Sequence, residues 1–200
     1  MEKDTDLRII RTRHMIKTAF FALISEIGFE KITVQNLTKK AVINRSTFYL
    51  HYTDKFDLLN QLENEILEGL KEILRKTDFD AILNGVFIEK PFPHVIKVME
   101  YVKENEQFFT LIMSKNGDPS FIIKMGENVK LIMYEKIFHN NLFSKLKIPE
   151  NYLSSVFIAI FTSFISEWLR TGLKETPHEV AMMVTTFLRD IPKNLLAQNS

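Results

Sequence analysis

The chain has 200 residues, of which 46% are hydrophobic and 26% are charged, with only six glycines and six prolines. This length and composition allow a sizeable core in one domain or two small ones and argue against a disordered protein. The absence of cysteine excludes disulfides, thiolate metal sites and cysteine nucleophiles, and it suits a reducing compartment.

The first segment predicts a helix and no export signal. MEKDTDLRII contains no apolar stretch ahead of small residues, so we expect a cytoplasmic protein. A first helix is predicted over about Leu7–Ile27. It should end at Gly28, because glycine readily adopts the left-handed conformation that closes helices.

Three helix starts follow within a short segment. Thr33 and Asn44 are good N-cap residues, because their side-chain oxygens can accept hydrogen bonds from first-turn N–H groups. Asp54, with Asp57 three residues later, can cap a third helix. Two short helices joined by a tight turn and followed by a longer helix are typical of a helix-turn-helix.

The two short helices each have an apolar face. Val34, Leu37 and Ala41 share one face of the first helix. Phe48 and Tyr52 share a face of the second. The outward side chains of the second helix and its end are Arg45, Ser46, Thr47, Tyr49 and His51. Guanidinium, hydroxyl, phenol and imidazole groups can bind phosphate oxygens and base edges in a major groove.

The segment from Arg11 to Leu59 resembles the TetR/AcrR family of transcriptional regulators. STFYLHYTDKFDLL is similar to the family's pattern of Thr, an apolar residue, Tyr, any residue, His, an aromatic residue, two further residues and Lys. Two positions depart from the family. Val42 replaces the usual Gly of the turn, and Thr38 stands where Ala is frequent. Because a β-branched residue disfavours positive φ, the turn either avoids the left-handed region or carries strain.

Roles in DNA binding follow from side-chain chemistry. Arg45 is the predicted base reader, since a guanidinium can bind guanine O6 and N7 in a fork, and Ser46 and Thr47 are predicted to contact bases or phosphates. The predicted phosphate anchors are Tyr49, His51 and Lys55, and the further candidates are Thr33, Arg8 and Arg11. The alternative is a solvated side chain for each of them, or a packing role for Tyr49 and His51.

Charge is unevenly distributed along the chain. Residues 7–55 contain nine basic and three acidic side chains, a net charge of +6 that leaves −5 for the rest. A basic segment beside an acidic one favours an orientation in which the basic segment faces a polyanion. A chance asymmetry of a charged surface is the alternative.

Beyond this segment the apolar periodicity is helical, and no stretch alternates in the manner of a hairpin. We therefore predict an all-α protein, with an N-terminal three-helix helix-turn-helix DNA-binding domain at residues 1–54 and a C-terminal helical bundle for ligand binding and dimerisation at residues 55–200. The remaining predicted helices are about Lys55–Lys76, His94–Glu104, Glu106–Ser114, Ser120–Phe138, Pro149–Thr171 and Pro177–Ile191. Asn116–Pro119 is a turn signal, and Gly172 should close the penultimate helix.

The last two helices predict a homodimer. The penultimate helix contains an 18-residue apolar run, Tyr152–Leu169, but its serines, threonine and Glu167 disfavour a membrane span, for which roughly 20 predominantly apolar residues are wanted. Two adjacent helices with more apolar surface than a monomer can bury suggest a four-helix bundle between two copies, which the family resemblance also implies. The predicted interface residues are Phe157, Phe161, Phe164, Trp168, Val180, Met183, Val184, Phe187 and Ile191.

Phenylalanine and methionine are frequent in the C-terminal part, and together they can line a cavity. The predicted pocket residues are Phe108, Phe109, Met113, Met125, Met133 and Phe161. Because polar residues converge so sparsely, the expected effector is an apolar or aromatic small molecule; the alternative is that each residue fills core. The resemblance implies repression of a palindromic operator, relieved by a ligand, although activation stays open.

The sequence also bears on three other functions. An enzyme is disfavoured, because the five histidines are scattered and no phosphate-binding loop or nucleophile elbow is present, so no catalytic, metal or cofactor site is predicted. A helical small-molecule carrier would leave the basic segment unexplained. A regulator or coactivator controlled by a protein partner stays open, through a resemblance to regulators of dihydroxyacetone kinase operons.

Overall fold

The structure, a computed structural model, describes residues 2–77, 90–136 and 149–197. Within these ranges every regular element is helical, which confirms the predicted all-α class. The α-helices are α1 (Glu2–Ile27), α2 (Val34–Ala41), α3 (Arg45–Tyr49), α4 (Lys55–Arg75), α5 (Pro93–Glu104), α6 (Glu106–Ile112), α7 (Phe121–Lys136), α8 (Glu150–Arg170) and α9 (Pro177–Ala197). A short 3-10 helix, Phe29–Lys31, lies between α1 and α2.

Several predicted boundaries agree with the structure and others do not. The predictions for α4, α5 and α8 are confirmed to within one residue at each end. The predicted start of α1 at Leu7 is wrong, since the helix begins at Glu2. The predicted end of α9 at Ile191 is also wrong. The helix continues past Pro192, because a proline removes one hydrogen bond and can kink a helix without ending it.

Two predicted C-terminal ends, those of α6 and α7, lie in the middle of the chain. Helix α6 ends at Ile112, before the predicted Ser114, because the Ile112 carbonyl accepts from the backbone N–H of Asp118 at 2.9 Å and the chain turns. The turn predicted at Asn116–Pro119 is thereby confirmed. The predicted end of α7 at Phe138 lies outside the described residues, which reach Lys136 in this helix.

The chain forms two compact units. The first consists of Met1–Glu65 with Gln107–Pro119, and the second of Ile66–Glu106 with Ser120–Ser200. Helix α4 belongs to the first unit up to Glu65 and to the second from Ile66. The division into functional domains at residues 1–54 and 55–200 stays a prediction.

The core of the first unit is built on one face of α1. Ile16, Phe20 and Ile24 recur at four-residue spacing and are fully buried, as is Leu37 of α2. The ring of Phe20 meets the ring of Phe29 edge to face, with centroids 6.1 Å apart. These contacts hold α2 and the 3-10 helix against α1.

The inserted segment Gln107–Pro119 completes this core. Phe108 is buried, and its ring lies edge to face against Phe21 of α1 at 6.3 Å. The backbone N–H of Phe29 donates to the carbonyl oxygen of Asn116 at 2.9 Å. Gly117 is needed here, because a Cβ atom at this position would lie 2.2 Å from the carbonyl oxygen of Ile112.

The second unit is organised around α5 and α9, which pack on each other. Val95 and Met99 of α5 and Val184 of α9 are fully buried. The backbone N–H of Phe92, at the start of α5, donates to the hydroxyl of Thr185 at 3.0 Å. Burial lowers the pKa of His94, stacked on Phe92 with ring centroids 5.8 Å apart, to about 4.

The turn between α8 and α9 confirms the predicted signals. Gly172 has φ 81° and closes α8, and the backbone N–H of Leu173 donates back to the carbonyl of Trp168 at 2.9 Å. Thr176 and Glu179 form a reciprocal capping box at the start of α9. Pro177 occupies the first position of that helix, where its missing N–H costs nothing.

The turn between α2 and α3 carries strain. Val42 has φ 55° and ψ 47°, in the left-handed region, and the backbone N–H of Ile43 donates back to the carbonyl of Thr38 at 3.0 Å. This is the helix ending that normally uses glycine. A valine in the left-handed region costs about 1–2 kcal/mol. The turn therefore does not avoid the left-handed region and carries strain.

We expect Val42→Gly to raise the free energy of unfolding by up to about 1 kcal/mol, because relief of the strain exceeds the extra chain entropy of glycine. Urea denaturation followed by circular dichroism measures the change. Leu50→Gly is a matched control, since both side chains are 82% exposed but Leu50 has φ −70°. Glycine should lower the stability there. Equal losses for the two variants would contradict strain at Val42.

We expect acid to weaken the fold through His94. Its pKa is about 4 in the folded chain and 6.5 as the reference value, so its contribution to stability is complete above pH 6.5 and is lost as the pH falls towards 4. Between pH 7 and pH 5 this amounts to roughly 2 kcal/mol. His94→Phe, which keeps a ring on Phe92, should remove that part of the pH dependence of unfolding, whereas the exposed His178→Gln should keep it. An unchanged slope in His94→Phe would show that another group is responsible.

Candidate nucleic-acid interface

Helix α2 begins at a complete capping box. The hydroxyl oxygen of Thr33 accepts from the backbone N–H of Asn36 at 3.1 Å, and the Asn36 carboxamide oxygen accepts from the backbone N–H of Thr33 at 3.1 Å. The Thr33 hydroxyl also donates to that carboxamide oxygen at 2.6 Å. The predicted N-cap is confirmed, and it already uses both hydrogen-bonding functions of a side chain that is also a candidate DNA contact.

Asn44 is the N-cap residue of α3, as predicted, but the Asn44 side chain forms no capping hydrogen bond. The prediction of a side-chain cap is therefore wrong. The Asn44 backbone carbonyl accepts from the N–H of Phe48 at 3.2 Å, and the residue is one of those that line a surface groove. A five-residue helix without a side-chain cap depends on packing for its stability.

That packing comes from the inner face of α3. Phe48 is fully buried and Tyr52 is 4% exposed, with ring centroids 5.7 Å apart, so the predicted shared face is confirmed. Asp54 caps α4 by accepting from the backbone N–H groups of Phe56 and Asp57, both at 2.8 Å. The Asp57 carboxylate in turn accepts from the N–H of Thr53 at 2.8 Å. The segment 45–54 is thus held by two buried rings along its length and by the cap of α4 at its end.

The outer face of α3 presents the predicted polar groups. Arg45, Ser46 and Tyr49 are exposed, and Thr47 and His51 are half-buried. The guanidinium of Arg45 donates to the phenol oxygen of Tyr49 through Nε at 3.3 Å and Nη2 at 3.0 Å. The structure therefore brings the predicted base reader and one predicted phosphate anchor into direct contact.

His51 differs from a permanently charged anchor. Burial, together with the nearby positive charge of Arg13, lowers the pKa of the His51 imidazole below its ordinary value. Both effects favour the neutral form of the ring. A neutral imidazole still offers one N–H donor to a phosphate oxygen.

Lys55 is already engaged within the protein. Its ammonium donates to the carbonyl oxygens of Phe29 at 3.1 Å and Glu30 at 2.8 Å, and it lies 4.8 Å from the centroid of the Phe29 ring. These contacts tie the first residue of α4 to the 3-10 helix. A phosphate at Lys55 would have to share the ammonium with two carbonyl groups, and the predicted role as a phosphate anchor stays a prediction.

Arg8 and Arg11 are exposed, but they lie within α1. Helix α1 begins at Glu2 and includes both residues, and their role as DNA contacts stays a prediction. Arg13, two residues after Arg11, donates to the carboxamide oxygen of Gln61 at 2.7 Å and lies 5.8 Å from the centre of the Tyr52 ring. Arg13 therefore has an internal role that the first two do not share.

A basic residue that the sequence reasoning missed lies beside α3. Thr38, Lys39, Val42, Ile43, Asn44 and Thr47 line an open surface groove of about 510 Å³. Lys39 is exposed at this groove, whereas the ammonium of its neighbour Lys40 is paired with the carboxylate of Glu26. Lysines in the last turn of a helix next to the reading helix were a usable signal.

Two family models match the chain. The model of bacterial regulatory proteins of the tetR family matches residues 17–62, and the model of a transcriptional regulator C-terminal region, TetR_C_8, matches residues 89–190, which is half of the 200 residues. The chain belongs to the TetR family of transcriptional regulators. Members of this family are DNA-binding transcription factors and not enzymes.

Individual relatives agree with this membership. The chain is 24% identical over 172 residues to the uncharacterized HTH-type transcriptional regulator YxbF of Bacillus subtilis (strain 168), which covers 84% of this chain and 42% of that protein. It is 22% identical over 130 residues to the HTH-type dhaKLM operon transcriptional activator DhaS of Lactococcus lactis subsp. lactis (strain IL1403), covering 64% and 63% of the two. The chain thus spans less than two thirds of the length of each of these relatives.

A solved structure is also similar. The crystal structure of a TetR transcriptional regulator from Streptococcus agalactiae 2603V is 25% identical to this chain, with a TM-score of 0.65. The match covers 94% of this TetR-family chain and 98% of the other one. The helical architecture is therefore shared over nearly the whole of both chains.

The residues predicted to line an effector pocket are distributed over both units of this chain. Phe108 and Phe109 are 3% and 0% exposed in the core of the first unit, Met113 is half-buried in that unit, and Met125 is 4% exposed in the second. For the two phenylalanines and Met125, the structure agrees with the alternative that they fill core. Phe161 is half-buried in the second unit, and the side chain of Met133 lies outside the described residues.

The residues predicted for the dimer interface divide in two groups. Trp168, Val180 and Val184 are at most 3% exposed within a single chain, so their assignment to an interface needs correction, since almost no surface remains for a second copy. The Trp168 indole N–H donates to the Glu175 carbonyl at 3.1 Å. The group with accessible surface is Phe157, Phe161, Phe164, Met183 and Phe187. The side chain of Ile191 lies outside the described residues.

Helix α8 of this TetR-family protein is unusually apolar for its exposure. By length and composition alone it could cross a membrane, and only 22% of its most apolar window is buried. Tyr152 and Val156 are 65% and 45% exposed. Length and composition do not distinguish a membrane span from a helix that packs on another protein chain.

Proposed function

We propose that this TetR-family chain is a cytoplasmic transcriptional repressor that binds a palindromic DNA operator as a homodimer and is released by a small-molecule effector. The observation that carries the proposal is the exposed polar face of α3, held in place by the buried ring of Phe48. It joins a guanidinium, hydroxyls, a phenol and an imidazole on one short surface. These groups suit both base edges and phosphates.

The proposed DNA contacts differ in role. Arg45 reads a base, while Ser46 and Thr47 contact bases or phosphates, and His51 and Lys55 act close to the DNA backbone. Tyr49 contacts the guanidinium of Arg45. Lys39 is added because its ammonium is exposed at the groove beside α3. Thr33, Arg8 and Arg11 are peripheral contacts. The net charge of +6 over residues 7–55 supports approach to a polyanion.

Dimerisation is proposed through α8 and α9. The Phe164 and Phe187 rings lie edge to face at 5.5 Å, and Phe187 is 55% exposed. A second copy would cover these rings and the poorly buried face of α8. The two helix-turn-helix domains of such a dimer would suit two operator half-sites that lie about 34 Å, or a multiple of 34 Å, apart.

The proposed effector is an apolar or aromatic small molecule bound in the second unit. Among the described residues of this unit the buried polar side chains are few, and two of them are used internally: the Ser154 hydroxyl donates to the Asn151 carbonyl at 3.0 Å, and the Thr185 hydroxyl accepts from Phe92. Such an interior favours an apolar ligand. By preferring one conformation, the ligand would shift operator affinity.

A second candidate is a regulator or activator of the same fold that answers to a protein partner. The similarity to DhaS, named as an operon transcriptional activator, favours it. The two candidates differ in a simple way. Retained DNA binding that no small molecule changes would favour a protein partner as the trigger.

We expect Arg45→Ala to relax sequence preference, because the lost guanidinium fork provides about 1–3 kcal/mol of discrimination between bases. Lys39→Ala should weaken all duplexes alike and reduce the salt slope by about 1, since it removes one phosphate contact. The full-length protein would first select duplexes from a random-sequence library. Fluorescence anisotropy of selected and substituted duplexes at several salt concentrations then measures both effects.

An unchanged preference in Arg45→Ala would remove the assignment of this residue as the base reader. Wild-type protein that binds no duplex in a salt-dependent manner would remove the proposed function altogether.

We expect Phe187→Glu to convert the dimer to a monomer, because a carboxylate placed in an apolar interface loses its hydration without gaining a partner. Multi-angle light scattering measures the mass. Leu131→Glu on α7 is the matched control, since Leu131 is 64% exposed, similar to the 55% of Phe187, and is not in the proposed interface. A monomeric wild type, or a dimeric Phe187→Glu variant, would contradict dimerisation through α9.

A further inference from the structure

The side chains of Arg45 and Tyr49 form a defined pair on the outer face of α3. The phenol oxygen accepts from both Nε and Nη2 of the guanidinium, at 3.3 and 3.0 Å. The guanidinium carbon lies 5.5 Å from the centroid of the phenol ring. Both residues are exposed, so burial does not impose this arrangement.

The pair uses one particular edge of the guanidinium. Arginine has five N–H donors in a rigid plane, and Nε with the adjacent N–H of Nη2 forms its side edge. Because one phenol oxygen accepts from that edge, the terminal edge, formed by Nη1 and the second N–H of Nη2, remains available. Two parallel donors at that edge match O6 and N7 of guanine.

Tyr49 is itself held in place. Its ring meets the fully buried ring of Phe48 edge to face, with centroids 5.7 Å apart and an interplanar angle of 81°. The buried Phe48 ring thus restrains the Tyr49 ring, and the Tyr49 hydroxyl in turn restrains the Arg45 guanidinium. An unrestrained arginine loses up to about 2 kcal/mol of side-chain entropy when it is fixed, and a side chain that is already oriented loses less.

We propose that Tyr49 is the positioning residue for base recognition by Arg45: its phenol oxygen holds the side edge of the guanidinium so that the terminal edge faces guanine. The inference rests on the proposed DNA-binding function and deepens it. Tyr49 then acts on sequence specificity. A direct phosphate contact by Tyr49 would instead affect all sequences alike.

A double-mutant cycle with full-length protein tests the inference. Wild type, Tyr49→Phe, Arg45→Ala and the double variant are titrated against a duplex selected by wild type from a random-sequence library, and against duplexes with each base pair replaced in turn. Tyr49→Phe keeps the ring on Phe48 and removes only the acceptor. It should lose about 2- to 10-fold of discrimination, the effect of one or two hydrogen bonds.

Three features of the result identify positioning. Tyr49→Phe should lose discrimination at the same base pair at which Arg45→Ala loses it. The salt slope should stay unchanged, and Tyr49→Phe should have no further effect in the Arg45→Ala background. Tyr134→Phe is the matched control. Lys130 and Tyr134 on α7 form a similar pair at four-residue spacing, with the ammonium 6.0 Å from the ring centroid, outside α3. This control should leave discrimination unchanged.

Two outcomes would overturn the inference while wild type still binds DNA. A uniform loss for all duplexes that persists in the Arg45→Ala background would make Tyr49 a phosphate contact. Lower thermal stability with full discrimination in Tyr49→Phe would make the pair a stabiliser of α3 alone. Failure of wild type to bind any duplex is a separate result, because it removes the proposed function first.

Discussion

The shortness of α3 is the constraint on which the rest of the N-terminal unit depends. Five residues are too few for a helix that is stable by itself, and the Asn44 side chain adds no cap. The helix persists because Phe48 inserts a fully buried ring into the core and because the strained turn at Val42 sets where the helix begins. The outer residues Arg45, Ser46 and Tyr49 are exposed and are consequently available for the proposed recognition.

Some basic residues of this unit are bound to other groups of the protein, and others are exposed. The net charge does not distinguish the two groups. Lys40 and Lys17 are paired with Glu26 and Glu65, and Lys55 is bound by carbonyl oxygens. Lys39 is exposed and has no such acidic partner within the described residues. The local excess of positive charge is therefore concentrated on fewer side chains than the composition indicates, which makes the proposed contact set smaller and easier to test.

The second unit shows a different balance. Its interior satisfies the few buried polar groups locally, as Thr185 does for the start of α5, and leaves His94 neutral because charging a buried imidazole is costly. By contrast, α8 exposes more apolar surface than a helix of a single globular chain usually does. Members of the TetR family are typically dimeric, and the second copy proposed above would cover that surface.

The sequence by itself determined the all-α class, the family and the helix ends that depend on neighbouring residues, such as the Thr33 capping box and the glycine at position 172. These features are decided by contacts within about one helical turn, which side-chain chemistry and spacing reveal. Only the tertiary structure decided that Lys55 binds carbonyls 25 and 26 residues away and that Trp168 is core rather than surface. Apolar spacing shows which residues share a face of a helix, but which neighbour covers that face depends on packing between segments distant in the chain.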